Sequence, residues 1–369
     1  MRRKTAWVDT IRVLASFIVI FAHFFMCESF THQARMGVRL YEFAAVCIPL
    51  FFAISGYLIH PSLERTPSLT EFYKKKIVRL TVPFTVCYLV MSVGMTLLSL
   101  LNEHFMEKVP LYHAAFGARY FMVLLGMFPV DLNLMKFLGW EPDWFTGEWF
   151  MGVILLLFLV APILDKGAVR APILTMAAAM ALSFAAFYGT EQLVAEGKIY
   201  SNITLFVVRI PEFLFGMILC IHREKLLRIR RYLVGGTVVY LTALIGLFVA
   251  TYPFGSELGA TLFELGPSSF VKTLPVVYLL FTLAEWLNEH AGAWLDWFNG
   301  FSGVSYMAML SQHMVIYAFE SSINFGELHS FGRVYILLLI TLVIVFISRR
   351  MQAMSDPIEK WFLRRRDSN

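Results

Sequence analysis

Of the 369 residues, 58% are hydrophobic and only 15% are charged, against roughly a quarter charged in ordinary globular chains. So few charges cannot cover a water-exposed surface, which argues against a soluble fold. The formal charge of +5 sits at the ends of apolar runs and not in one basic domain with interleaved aromatics, so nucleic acid is not an expected partner.

Apolar runs long enough to cross about 30 Å of hydrocarbon recur along the whole chain. The pattern predicts an all-α polytopic integral membrane protein, with about ten transmembrane helices at 8–28, 43–60, 80–102, 144–165, 171–188, 203–222, 232–252, 268–286, 303–322 and 332–350. The first run lacks a small-residue cleavage site and is followed closely by another, so it reads as a permanent span, with the mature chain beginning near Met1. The segment 111–129 is apolar but carries His113 and Arg119, and reads as a re-entrant or interfacial helix.

An even number of spans puts both termini on one side, and the basic ends Arg2-Arg3-Lys4 and Arg364-Arg365-Arg366 mark that side as cytoplasmic. Loops assigned to the same side hold Lys74, Lys75, Lys76 and Arg79, then Arg223, Lys225, Arg228, Arg230 and Arg231. The opposite loops hold only Arg35, Arg39, Lys108, Arg119, Lys136 and Lys198. No internal repeat, flexible linker or composition shift divides the chain, so residues 1–369 read as one transmembrane domain. Cys27, Cys47, Cys87 and Cys220 are widely spaced without ligand partners; they read as small buried hydrophobes, and no metal site is expected.

Ionisable residues inside spans are costly and mark function by default. The first span reads WVDTIRVLASFIVIFAHFF, with Asp9, Arg12, Ser16 and His23 at helical spacings. Arg12 and His23 are three turns plus about 20° apart, so they share one face, about 16 Å apart along the axis. His23 exchanges a proton near neutral pH, which suits a general base, while Asp9 and Arg12 also fit interfacial charges at a helix start. The second span ends in PLFFAISGYLI, where Ser55 and Gly56 suit close helix packing and Tyr57 adds a phenol. Lys76 and Arg79 share a helical face; they fit a positive-inside anchor or, with Arg12, a cradle for an anionic cofactor's phosphates. Glu148 precedes Trp149 and Phe150 near the outer end of a span, and His313 lies mid-span beside Gln312. Arg209 and Lys272 are embedded, with no role beyond ion pairing indicated.

The R-x10-H pattern of the first helix, PLFFAISGYL, the basic FYKKKIVR stretch and the late SY…HMVIY segment together resemble the acyltransferase-3 family. The resemblance covers nearly the whole chain and implies ten core helices. It also implies acyl transfer from cytoplasmic acyl-CoA, usually acetyl-CoA, to a sugar hydroxyl, with no metal, as in bacterial surface-polysaccharide O-acetyltransferases of the inner membrane. By motif, His23 is then the essential histidine and Arg12 its partner. Ser55, Gly56 and Tyr57 match an S-G-Y element in which Ser55 or Tyr57 would stabilise an oxyanion. Glu148 matches an acidic position before W-F. Arg12, Lys76 and Arg79 would bind the donor, although Lys76 replaces the first arginine of the family's R-x-x-R and so loses one guanidinium fork. The fused hydrolase-like domain of some members is not expected here. The expected partners are a carbohydrate acceptor and the lipid bilayer, and no oligomeric state is implied. A carrier of a polysaccharide precursor or small metabolite is the alternative, followed by a structural subunit of an assembly complex.

Overall fold

A computed structural model describes residues 6–29, 47–101, 132–139, 148–251, 269–290 and 293–364. The described residues form helices and turns without strands. This is what a bilayer demands of a chain without a closed barrel, because a helix satisfies its own backbone groups.

The first three long helices are α1 (Ala6–Ser29), α2 (Cys47–Arg65) and α3 (Leu69–Leu101), followed by the short α4 (Leu132–Phe137). Helix α5 (Glu148–Arg170) turns sharply into α6 (Pro172–Gly189), whose proline occupies the first turn, where its missing N–H costs nothing. After the short α7 (Glu191–Ala195) come α8 (Ile210–Ile221), α9 (Arg223–Arg228) and α10 (Arg230–Thr251). The chain continues through α11 (Ser269–His290), α12 (Ala293–Asn299), α13 (Ser305–Glu320) and α14 (Ser330–Arg364).

Six helices among the described residues are long and apolar enough to cross a membrane: Trp7–Phe25, Cys47–Arg65, Leu69–Leu101, Trp149–Arg170, Pro172–Ala195 and Phe331–Leu363. The expected spans at 232–252 and 268–286 correspond to α10 and α11. The span expected at 203–222 contracts to the 12-residue α8, because a 3-10 stretch at Phe206–Arg209 leads into it and Pro211 opens it. The one expected at 303–322 contracts to the 16-residue α13. The helix expected at 111–129 lies outside the described residues, as do both charged chain ends apart from Arg364 and most of the loops at 103–143 and 252–267.

Large apolar side chains such as Ile163, Ile173, Leu100, Val239 and Leu342 are two-thirds or more exposed, a surface suited to lipid. Inside it, α1 packs against α2, α11, α12 and α13, while α13 also packs against α3 and α14. The closest helix pair is α2 with α8. A Cβ added at Gly56 would lie 1.8 Å from the Phe213 carbonyl oxygen, and one at Gly216 would lie 1.8 Å from that of Ala53. Two glycines thus let two backbones touch, as small residues do where membrane helices meet. This contact settles the packing role open to Gly56 in the sequence, and it fixes the register of α2 for the residues on either side.

Candidate functional site

Helix α1 presents His23 to α13, and the imidazole meets that of His313 edge to face, with ring centroids 4.0 Å apart. The His23 Nδ1 lies 2.9 Å from the Val19 carbonyl oxygen. A carbonyl only accepts, so Nδ1 carries the proton and Nε2 keeps its lone pair. The half-buried imidazole is therefore fixed by its own helix, and the Gln312 side chain also hydrogen-bonds to it. Beside it the Gln312 amide lies against His23, while Gln312 Oε1 is buried without a hydrogen-bond partner among the described residues. His313 makes no hydrogen bond there either, and its ring stacks on Tyr317 with centroids 6.4 Å apart. Two imidazoles and an unsatisfied amide oxygen form a site that can accept, hold and pass a proton.

Toward its N-terminus α1 is polar again. Arg12 pairs with Asp9 at 3.5 Å, Ser16 turns its hydroxyl to the Arg12 carbonyl at 2.9 Å, and Thr10 Oγ1 donates to Asn299 Oδ1 at 2.8 Å. The Asp9–Arg12 pair is local, one helical turn apart, and both side chains remain partly exposed. Lys76 and Arg79 lie on α3, and no hydrogen bond, ion pair or ring contact joins them to Arg12 among the described residues. The Lys76 ammonium stands over the rings of Phe72 and Phe158, 5.7 and 5.3 Å from their centroids, and Arg79 is within electrostatic reach of Glu359 on α14.

Tyr57 is placed away from His23. Its ring meets Trp7 at 4.8 Å and Phe281 at 5.9 Å. Sixteen residues of α1 separate Trp7 from His23, a rise of about 24 Å. Register with α8 and contact with Trp7 hold the Tyr57 phenol at the opposite end of α1 from His23. Ser55, half-buried two residues earlier, lies on the same stretch of α2. Glu148 is the first residue of α5, and its side chain lies outside the described residues.

The acyltransferase-3 family, described as an acyltransferase domain, matches residues 5–350. The chain belongs to this family. No match is found among curated proteins or among solved structures. In this acyltransferase-3 protein the His23–His313 pair joins the R-x10-H pattern of the first helix to the late SY…HMVIY segment. His313 was visible as an ionisable residue inside a span, but nothing local joins it to a helix 290 positions away.

Two further polar groupings in this acyltransferase lie apart from His23. His60 Nδ1 is 2.8 Å from Asp165 Oδ1, and His60 Nε2 is 3.5 Å from Glu64 Oε1. Arg209 and Glu212 pair at 3.1 Å with side chains only 1% and 0% exposed, so the acid missing from the sequence reading is three residues on, in the first turn of α8. Each leaves one polar atom, Arg209 Nη2 and Glu212 Oε2, without a partner among the described residues.

Proposed function

We propose that this protein is a membrane-bound O-acyltransferase moving a short acyl group, acetyl first, from cytoplasmic acyl-CoA to a hydroxyl of a cell-surface carbohydrate or its lipid-linked precursor. The reading places it in a bacterial inner membrane with both termini cytoplasmic, in keeping with the clustered Lys and Arg residues of the loops on that side. The observation that carries it is the His23 imidazole, fixed through Nδ1 so that Nε2 keeps its lone pair, beside His313 in a chain of an acyltransferase family.

In this mechanism His23 Nε2 removes the proton of the acceptor hydroxyl as its oxygen attacks the thioester carbonyl. The new C–O bond forms, the C–S bond breaks, and the proton passes to the departing CoA sulfur. His313 is close enough to steady or relay that proton, and Gln312 Oε1 is an open acceptor beside it. Arg12, with Lys76 and Arg79 from α3, is assigned to the donor's phosphates. Glu148, at the start of α5, is assigned to a hydroxyl of the acceptor sugar.

The test is release of free CoA from radiolabelled acetyl-CoA by the purified protein with a polysaccharide precursor, alongside His23→Ala. Label transferred to the sugar and lost in His23→Ala is the expected result. Equal turnover in both proteins removes His23 from the chemistry, and movement of precursor across sealed vesicles without acyl-CoA supports a carrier instead.

A further inference from the structure

A cavity lies at the Trp7 end of α1, bounded by α1, α2, α8, α9, α10 and α11, with an empty volume of about 410 Å³ including its open mouth. Its walls combine two kinds of group. Trp7, Tyr57, Tyr278 and Phe281 supply aromatic faces and edges, and Arg223 and Arg230 supply cations.

We propose that this cavity binds the adenosine 3′-phosphate end of the acyl donor, with the purine among the aromatic rings and the phosphate on Arg230 and Arg223. The assignment rests on the acyl-CoA reading above. Several features favour a nucleotide over a bare anion. Trp7 meets Phe281 at 5.0 Å and Tyr57 at 4.8 Å, an edge-to-face group on which a further flat ring can pack. The Trp7 Nε1–H is buried without an acceptor among the described residues, and a purine nitrogen is one. The Tyr57 hydroxyl is likewise without a hydrogen bond there, and it lies near Arg223 and Glu285.

The charges also fit. Arg230 donates to the Thr282 carbonyl at 2.9 Å and has no carboxylate partner among the described residues, which leaves its other guanidinium nitrogen for a phosphate. Arg223 is engaged by Glu285 through two nitrogens. Partial burial opposes its charge, but the Glu285 hydrogen bond and charge prevail and raise its pKa above the ordinary arginine value. Three charged side chains thus leave the cavity cationic, with Glu285 competing against an incoming phosphate.

The position fits as well. Trp7 is α1's contribution to the cavity; Arg12 follows about 7.5 Å along the helix and His23 about 24 Å along it. Trp7 and Arg12 project about 140° apart. The diphosphate and pantetheine arm therefore pass around the first turns of α1 before running toward His23.

The experiment is equilibrium binding of radiolabelled adenosine 3′,5′-bisphosphate to the full chain in detergent, with inorganic phosphate and anionic phospholipid as competitors. Binding should weaken at least tenfold in Arg230→Gln and in Tyr278→Ala, less in Arg230→Lys, and should tighten severalfold in Glu285→Gln. A gain of affinity in the last variant cannot come from misfolding. Absence of binding, equal displacement by inorganic phosphate or phospholipid, or unchanged affinity in Arg230→Gln and Glu285→Gln together would overturn the site. Turnover of acetyl-CoA with an unchanged KM in Arg230→Gln also rejects the site while leaving acyl transfer intact. Binding without any release of CoA supports a nucleotide site and rejects the acyl-transfer reading instead.

Discussion

Gly56→Ala should separate α2 from α8. The added methyl would begin 1.8 Å from the Phe213 carbonyl oxygen, whereas ordinary contact starts at 3.4 Å, so the backbones must part locally by about 1.6 Å. The obstacle is backbone, so no rotamer change relieves it. Overpacking of this kind costs about 1–3 kcal/mol or more. If about 2 kcal/mol falls on the barrier to inactivation, the inactivation rate rises about thirtyfold. Gly216→Ala makes the reciprocal clash with Ala53 and should cost a similar amount. Because parting the helices for one methyl makes room for the other, the double variant should cost clearly less than the sum of the two singles. Loss of monodisperse protein in detergent during timed heating reads all four members of the cycle. Strict additivity, or a Gly56→Ala protein as durable as the natural chain, would refute the reciprocal contact.

Other perturbations separate the two ends of α1. His23→Ala should abolish acyl transfer, and His313→Gln should lower kcat by about 10²-fold if the second imidazole handles the proton, read as CoA release at saturating donor. Tyr57→Phe should act on KM for acyl-CoA and not on kcat; a kcat loss of about 10²–10³, the scale of a missing oxyanion donor, would support the motif-based role for its hydroxyl. Arg209→Met or Glu212→Gln alone leaves a buried charge uncompensated and should cost about 3–5 kcal/mol, whereas Arg209→Met with Glu212→Leu should recover most of the loss in the same heating assay.

Which residues matter was more legible in the sequence than which of them meet. Arg12 and His23 stand out because charge inside hydrocarbon needs a reason, and helical geometry alone puts them on one face. Gly56 was readable as a packing residue because small side chains mark close helix contacts, although its partner Gly216 was not. The direction of Tyr57 was not readable. On a soluble helix an apolar stripe reveals the inner face, but here the lipid-facing side is apolar too, so periodicity does not show which way a side chain points. The contraction of the 203–222 span has local signals in Arg209, Pro211 and Glu212, all within four positions of an apolar run otherwise long enough to span. His23 with His313 and Trp7 with Phe281 are contacts between distant parts of the chain, set by the packing of α1 against α11 and α13.

That packing gives α1 two stations that a truncated donor can uncouple. An acetyl thioester of a short pantetheine fragment, lacking diphosphate and nucleotide, still presents a reactive carbonyl to His23 but nothing to Arg230 or Tyr278. If the nucleotide end is bound at the Trp7 cavity, Arg230→Gln should lower kcat/KM at least tenfold with acetyl-CoA and leave it unchanged with the fragment. His23→Ala should remove activity with both. Binding energy from the remote nucleotide is also available to position the thioester, so the fragment should react with a lower kcat as well as a higher KM in the natural protein. An equal penalty from Arg230→Gln with both donors would mean that Arg230 acts through the fold and not through the ligand. A fragment as efficient as acetyl-CoA would mean that neither Arg223 and Arg230 nor Arg12, Lys76 and Arg79 contribute, and that the donor is recognised only around His23.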